Sequence, residues 1–278
     1  MAAPEPNSSS PVPRVVFSFT TSPARVSECY AMVESIIDQT RKPDLILLNV
    51  PRVFARTNET YNIPEWLEPL VTINVCDADH GPATKIVPTV DYLRANAWSD
   101  ETVIIYGDDD IRYPPDMVDT YTHMCDCRSV WCLSGFEFAP DASICFRDVG
   151  HDGRVSIAEG YGSVCCRLGM FGDDFADHIA ACKDNRELRL SDDVVISNYL
   201  WMRKVPIRMC SAPAPRMSIG RLWQEGRVLE YGKRADALHV IHRSEPWTSR
   251  YAAAVSALDD ERFPIDRHFP LGPCLGTA

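Results

Sequence analysis

The sequence predicts an α/β fold built on a mostly parallel sheet, and two patterns carry that expectation. Short apolar runs rich in β-branched residues alternate with helical stretches through the first half of the chain, as buried parallel strands with right-handed crossovers require. One run, Thr102 to Tyr106, passes through Gly107 straight into Asp108, Asp109 and Asp110. Ligands in open sheets bind beyond the carboxyl ends of the strands, and adjacent carboxylates repel unless a cation or water relieves them. Hard divalent ions prefer carboxylate oxygen and are completed by substrate phosphates, so the acids point to a metal and a phosphorylated ligand. They also fit a solvated turn before a helix opened by Pro114, Pro115 and Asp116.

The elements follow in order. Arg14 to Phe19 reads as a first strand, Thr20 to Pro23 as a loop, and Met32, Val33, Ile36 and Ile37 as the apolar face of a helix. Leu45 to Val50 and Val71 to Cys76 make two more strands, Val87 to Ala97 a helix, and Thr102 to Tyr106 a strand. Met117, Val118, Tyr121 and Met124 or Cys125 share a helix face, after which Val130 to Phe138 resumes β character. From Ala139 to Arg167, Gly, Asp and short β-prone runs suggest an antiparallel excursion at the sheet edge. Asp193 to Met202 reads as a helix whose acids suit its positive end, and Ser249 to Leu258 is the one helix expected beyond Arg203.

At 278 residues, 45% hydrophobic and 24% charged, the chain has the composition of a soluble enzyme. Met1 to Pro13 reads as a disordered Pro/Ser-rich tail, followed by one domain over 14–278 in two halves, near 14–125 and near 126–278. A net charge of -11 argues against nucleic acid and anionic membranes as partners, so an anionic ligand must meet local positive charge or a metal. No signal peptide and no apolar run of roughly 18 residues is seen, so no membrane span and a cytoplasmic location are expected. The 11 cysteines lack paired CxxC knuckles, which argues against structural zinc and favours reduced thiols. Cys29, Cys76 and Cys132 sit in apolar stretches where a thiol acts as a small hydrophobe.

The order of motifs over Arg14 to Lys204 resembles GT-A glycosyltransferases, and specifically a group of algal, bacterial and large DNA virus enzymes with Gly-Pro-Ala-Thr-Lys before an Asp-x-Asp motif, here Gly81 to Lys85 and Asp108 to Asp110. The resemblance implies a Rossmann-like, mostly parallel sheet with a smaller antiparallel acceptor-side region. It implies transfer of a sugar from a nucleotide diphosphate donor, UDP-sugars being favoured, to a carbohydrate or glycoprotein hydroxyl, with inversion and with Mn²⁺ or Mg²⁺ as cofactor.

The resemblance also distributes roles. Thr20, Thr21 and Arg25 take the place that holds nucleobase and ribose, although Ser22 or Ser27 also reads as a helix N-cap. Asp79, Gly81, Thr84 and Lys85 match the second motif, with Lys85 reaching the diphosphate and Asp79 the base or ribose; an exposed lysine in a turn is the bland alternative. Asp110 is the direct metal ligand, Asp108 contacts ribose or metal-bound water, and Asp109 lies between them pointing away. Gly160, Tyr161 and Gly162, after Glu159, resemble the loop that approaches the donor sugar, and equally a hairpin turn. Asp192 and Asp193 stand where the group has Glu-Asp, with Asp193 as general base, against the alternative that Asp192 N-caps the helix. A last metal ligand is sought in His239, with His242 as second choice; His151, His178 and His268 fit no motif.

Two rival readings come from other classes. A phosphohydrolase using the acid cluster wants a nucleophilic Asp after the first strand, which here ends in Phe19 and Thr20. A calcium- or glycan-binding module wants spaced acids, a central Gly and a terminal Glu, which Asp108 to Asp110 lack.

Overall fold

The computed structural model describes residues 12–125, 128–138, 144–145, 153–210 and 247–258. Four strands, β1 (Val15–Thr20), β2 (Leu45–Pro51), β3 (Thr72–Cys76) and β4 (Val103–Tyr106), pair in parallel in the order β3-β2-β1-β4. Beyond β4 the sheet continues through β10 (Val164–Arg167), β5 (Val130–Cys132), β11 (Ile207–Met209) and β8 (Gly153–Arg154). Of these, β10 runs antiparallel to both β4 and β5, and β8 antiparallel to β11. A small antiparallel sheet holds β7 (Ile144–Cys145), β6 (Gly135–Phe138) and β9 (Ile157–Ala158). The α/β class and the antiparallel excursion are as the sequence predicts.

Alternation along the strands fills two cores. Val15, Phe17, Phe19, Leu48 and Ile105 pack with α1 (Tyr30–Ile37) and α3 (Met117–Met124). Val16, Leu47, Ile104, Tyr106 and Val164 pack with α2 (Val87–Ala95), α4 (Phe175–Ala181), α5 (Arg186–Arg189), α6 (Asp192–Met202) and α7 (Trp247–Leu258). Each core therefore draws on residues from both sides of the expected boundary near residue 126.

Several details differ from the expected elements. Neither Ser22 nor Ser27 caps α1: turns separate them from Tyr30, the N-cap position is Cys29, and the Ser22 carbonyl accepts the Arg25 and Val26 N–H groups. The β-type run over Val130 to Phe138 is two strands, because the chain leaves the central sheet after Cys132 and pairs with β9 from Gly135. Cysteines with described side chains are free thiols; Cys29 and Cys132 are buried, whereas Cys76 is only half-buried at the end of edge strand β3. No described helix is long and apolar enough to cross a membrane.

A buried polar ladder under the sheet places the site. Asn74 donates to Asn49 Oδ1 at 2.8 Å, and Asn49 donates to Ser18 Oγ at 3.0 Å and Thr89 Oγ1 at 2.7 Å. Ser18 Oγ donates to the Lys85 carbonyl at 2.6 Å. Three adjacent strands thereby hold the backbone of one lysine, and each buried polar group gains the partner it needs.

Candidate active site

The parallel strands β1 and β4 are neighbours, while β2 and β3 extend the sheet to the other side of β1. Loops leaving β1 and β4 run to helices on the same face of the sheet and meet at its carboxyl edge, beside the crevice in which open α/β sheets bind ligands. The first loop brings Thr20, Thr21 and Arg25; the second brings Asp108, Asp109 and Asp110.

These loops are locked together. Thr21 Oγ1 donates to Asp109 Oδ2 at 2.5 Å, Arg25 Nε donates to the same oxygen at 3.1 Å, and Arg25 Nη2 pairs with Asp109 Oδ1. Arg25 Nη1 reaches Asp110 Oδ2 at 3.2 Å. Burial works against the guanidinium charge, yet Asp109, Asp110 and Asp108 together hold it firmly protonated. Asp109 is buried within the first loop's grip, and burial raises its carboxyl pKa against the pull of Arg25 and Thr21. Asp110 is pushed up to about 7 by burial and then by Asp109 and Asp108, with Arg25 opposing. Thr20 turns to β2, its hydroxyl donating to the Asn49 carbonyl at 2.8 Å. Asp108 keeps a side chain 35% exposed, and its carbonyl accepts the Tyr113 hydroxyl at 2.9 Å. Gly107 is required beside it, since a Cβ there would lie 2.2 Å from that hydroxyl.

Gly81 to Lys85 forms a single 3₁₀ turn. Gly81 has φ +61, and its N–H donates to Asp79 Oδ1 at 2.7 Å, while Asp79 Oδ2 accepts the Ala55 N–H at 2.7 Å. Asp79 thus braces the turn. Thr84 Oγ1 accepts the His80 N–H at 3.0 Å. Lys85 is not an exposed turn lysine: it is 3% exposed, with Nζ 2.7 Å from Asp108 Oδ1 and 3.1 Å from Asp192 Oδ2. Burial opposes its charge, but Asp108, Asp192 and Asp193 raise its pKa well above the usual lysine value.

On the far side of Lys85, Asp192 and Asp193 occupy the first turn of α6. Ser191 holds the N-cap position and Asp192 is already helical, so its carboxylate faces Lys85 and does not cap the helix. Asp193 Oδ1 accepts the Gly160 N–H at 2.8 Å, and its Oδ2 accepts the Tyr251 hydroxyl at 2.7 Å. Burial and then the neighbouring Asp192 push the Asp193 carboxyl up to about 8, against Lys85 and the Gly160 N–H. Gly160 to Gly162 is a 3₁₀ turn, and a Cβ on Gly160 would meet Lys85 Nζ at 2.7 Å and Asp193 Oδ1 at 3.2 Å. Close backbone approach explains that glycine. Gly162 packs beside Ser134, whose hydroxyl donates to Glu159 Oε2 at 2.5 Å; the Tyr161 hydroxyl lies 3.4 Å from Ser134 Oγ.

The structure thus gathers Lys85, Asp108, Gly160, Asp192 and Asp193 into one cluster, and Thr21, Arg25, Asp109 and Asp110 into an adjoining one. His239 and His242 lie outside the described residues. Among the described residues no three of His, Cys, Asp and Glu assemble as a metal-holding group. Asp108 Oδ1 is paired with Lys85 and Asp110 Oδ2 with Arg25, so a divalent ion on these carboxylates would share them with those two cations. Tyr251 was missed as a site residue. Tyr251 shares the buried spacing of Ala254, Val255 and Leu258 and so reads as core, although a buried phenol needs a polar partner.

No family model and no curated protein matches the chain. Similar solved structures include 4-diphosphocytidyl-2C-methyl-D-erythritol synthase, with a TM-score of 0.43 and 11% identity over 74% of this chain and 92% of that one. S. aureus TarS gives a TM-score of 0.44 and 10% identity over 72% of this chain, which spans 36% of the TarS chain. TarS 1-349 in complex with UDP gives 0.41 and 12% identity, covering 72% and 59%. These TM-scores are below 0.5, and the functional reading rests on the side chains.

Proposed function

We propose that the chain is a glycosyltransferase that moves a sugar from a nucleotide diphosphate donor, a UDP-sugar being favoured, to a carbohydrate or glycoprotein hydroxyl with inversion. One observation carries the reading. Lys85 joins Asp108, at the mouth of the crevice after β4, to the Asp192 and Asp193 pair, where Asp193 holds a carboxyl with a base-like pKa near 8. Donor-side charge and a proton acceptor thereby share one crevice.

The donor's diphosphate approaches Asp108 and Asp110. Those two carboxylates would hold Mn²⁺ or Mg²⁺ together with the phosphates, and the ion would offset charge on the departing nucleotide. Gly160 brings its backbone close to the sugar, and its N–H fixes Asp193 Oδ1. Asp193 takes the proton of the acceptor hydroxyl as that oxygen attacks the anomeric carbon and the bond to the diphosphate breaks. A carboxyl titrating near the working pH gains proton affinity without being fully protonated. Lys85 pairs with Asp108 and Asp192 and stays charged throughout.

A panel of nucleotide sugars in thermal-shift assays, with Mn²⁺ and with chelator, tests the reading. A UDP-sugar that raises Tm, followed by β-linked product from an α-linked donor, supports it. Absence of a shift with any nucleotide sugar would overturn it.

A further inference from the structure

We propose that Tyr251 is a positioning residue for Asp193: its phenol, carried by α7, fixes the orientation of the carboxylate and favours its ionised form. The inference rests on the reading of Asp193 as the base and adds the C-terminal helix to that site. Asp193 has one oxygen held by the Gly160 N–H at 2.8 Å and the other by the Tyr251 hydroxyl at 2.7 Å, so its plane is set from two elements far apart in the chain. Tyr251 is 8% exposed, and its ring centroid lies 5.1 Å from that of Phe136 in the core. A phenol facing an ionised carboxylate must donate.

Other groups face Asp193 from several elements. Asp192 on α6 and Glu159 before the 160–162 turn oppose its ionisation, and Lys85 favours it. Tyr106 on β4, Cys132 on β5 and Tyr161 are neutral neighbours whose own ionisation is made harder by burial and then by nearby groups that include Asp193. Burial, Asp193 and Glu159 likewise raise the Tyr251 pKa well above the usual value, so the phenol remains a donor wherever Asp193 titrates. Tyr251 and the Gly160 N–H are thus the neutral donors that hold the carboxylate.

Carbon-13 NMR of protein labelled at aspartate carboxyls follows the titration directly, with the Asp193 resonance identified by its loss in Asp193→Asn. Tyr251→Phe keeps the ring against Phe136 and should raise the Asp193 midpoint by about one pH unit, the worth of one hydrogen bond to a charged group. Phe136→Leu alters packing but not the phenol and should leave the midpoint in place. An unmoved midpoint in Tyr251→Phe, or an equal shift in Phe136→Leu, overturns the proposal. UDP-glucose hydrolysis supplies the kinetic arm: water attacks the anomeric carbon, the bond to the diphosphate breaks, and the water proton passes to Asp193. Tyr251→Phe should lower kcat at neutral pH and move its acid limb upward while KM is unchanged. Full hydrolysis by Asp193→Asn would sink the base assignment itself; lost hydrolysis in Asp193→Asn with no midpoint shift in Tyr251→Phe would sink the Tyr251 role alone.

Discussion

Lys85 and Asp192 form a buried ion pair, with Nζ and Oδ2 3.1 Å apart. The contact joins a turn held by strands β1 and β2 to the first residue of α6, and Asp108 completes it at 2.7 Å. An exposed phosphate-seeking lysine would be removable at little cost to the fold. This one is not, because Asp192 would lose its counter-charge inside the protein and the more exposed Asp108 would lose its partner.

Lys85→Ala should therefore lose stability as well as donor binding. Removing one partner of a buried pair costs on the order of 3–5 kcal/mol, because it leaves uncompensated charge. Urea unfolding at neutral pH reads the loss, and adding Asp192→Asn to Lys85→Ala should recover part of it, since the two sites are coupled. Wild-type stability in Lys85→Ala would refute the buried strut.

Arg25 and Asp109 should show the same dependence at the other loop. Arg25 engages both oxygens of a carboxylate that is 1% exposed. Arg25→Ala and Asp109→Ala should each destabilise, while the double variant loses clearly less than the sum, and Arg25→Lys should fail to restore the two-point contact. Strict additivity in unfolding experiments would show that the contact contributes nothing.

Asp110 and Asp109 should separate in nucleotide binding. Calorimetry should show UDP binding more tightly with Mn²⁺ than with chelator, and Asp110→Asn should remove most of that difference. Asp109→Asn should act through stability, because its oxygens are taken by Thr21 and Arg25. Equal UDP affinity with and without Mn²⁺ in the wild type would remove the metal from the proposal.

The strands were legible in the sequence because β1, β2 and β4 are buried apolar runs, and the acid cluster because it follows one of them at once. What each acid touches was not legible. Asp109 reads as turned away, but whether toward water or toward Arg25 depends on a loop 84 residues earlier in the chain. Lys85 reads as a diphosphate contact or as an exposed turn lysine, because nothing local shows that Asp192, far along the chain, faces it. The short helices α4 and α5 and strand β11 escaped because their few residues carry no clear period; α5 is held by its Asn185 cap, which accepts N–H bonds at 3.0 and 3.1 Å, and by the buried Leu188. Tyr251 hid in an apolar face whose spacing is that of ordinary core.

Asp193 gives a prediction in which rate and stability move in opposite directions. Its carboxyl titrates near 3.8 in the unfolded chain and near 8 in the folded protein, so between those values the folded state holds a proton that the unfolded state has released. Stability contributed by this group is therefore full below about pH 4 and falls as pH rises, until the folded form also ionises near 8. Turnover runs the other way, rising through the same upper region as the base loses its proton. Asp193→Asn cannot take a proton, and general-base loss costs on the order of 10²- to 10⁴-fold in rate. The variant should lose the rising limb of the pH profile, keep UDP affinity, and melt less steeply downward with rising pH than the wild type. Parallel melting curves from pH 5 to 9 would show that Asp193 does not carry the buried proton, and near wild-type transfer would return it to the role of a helix-opening acid.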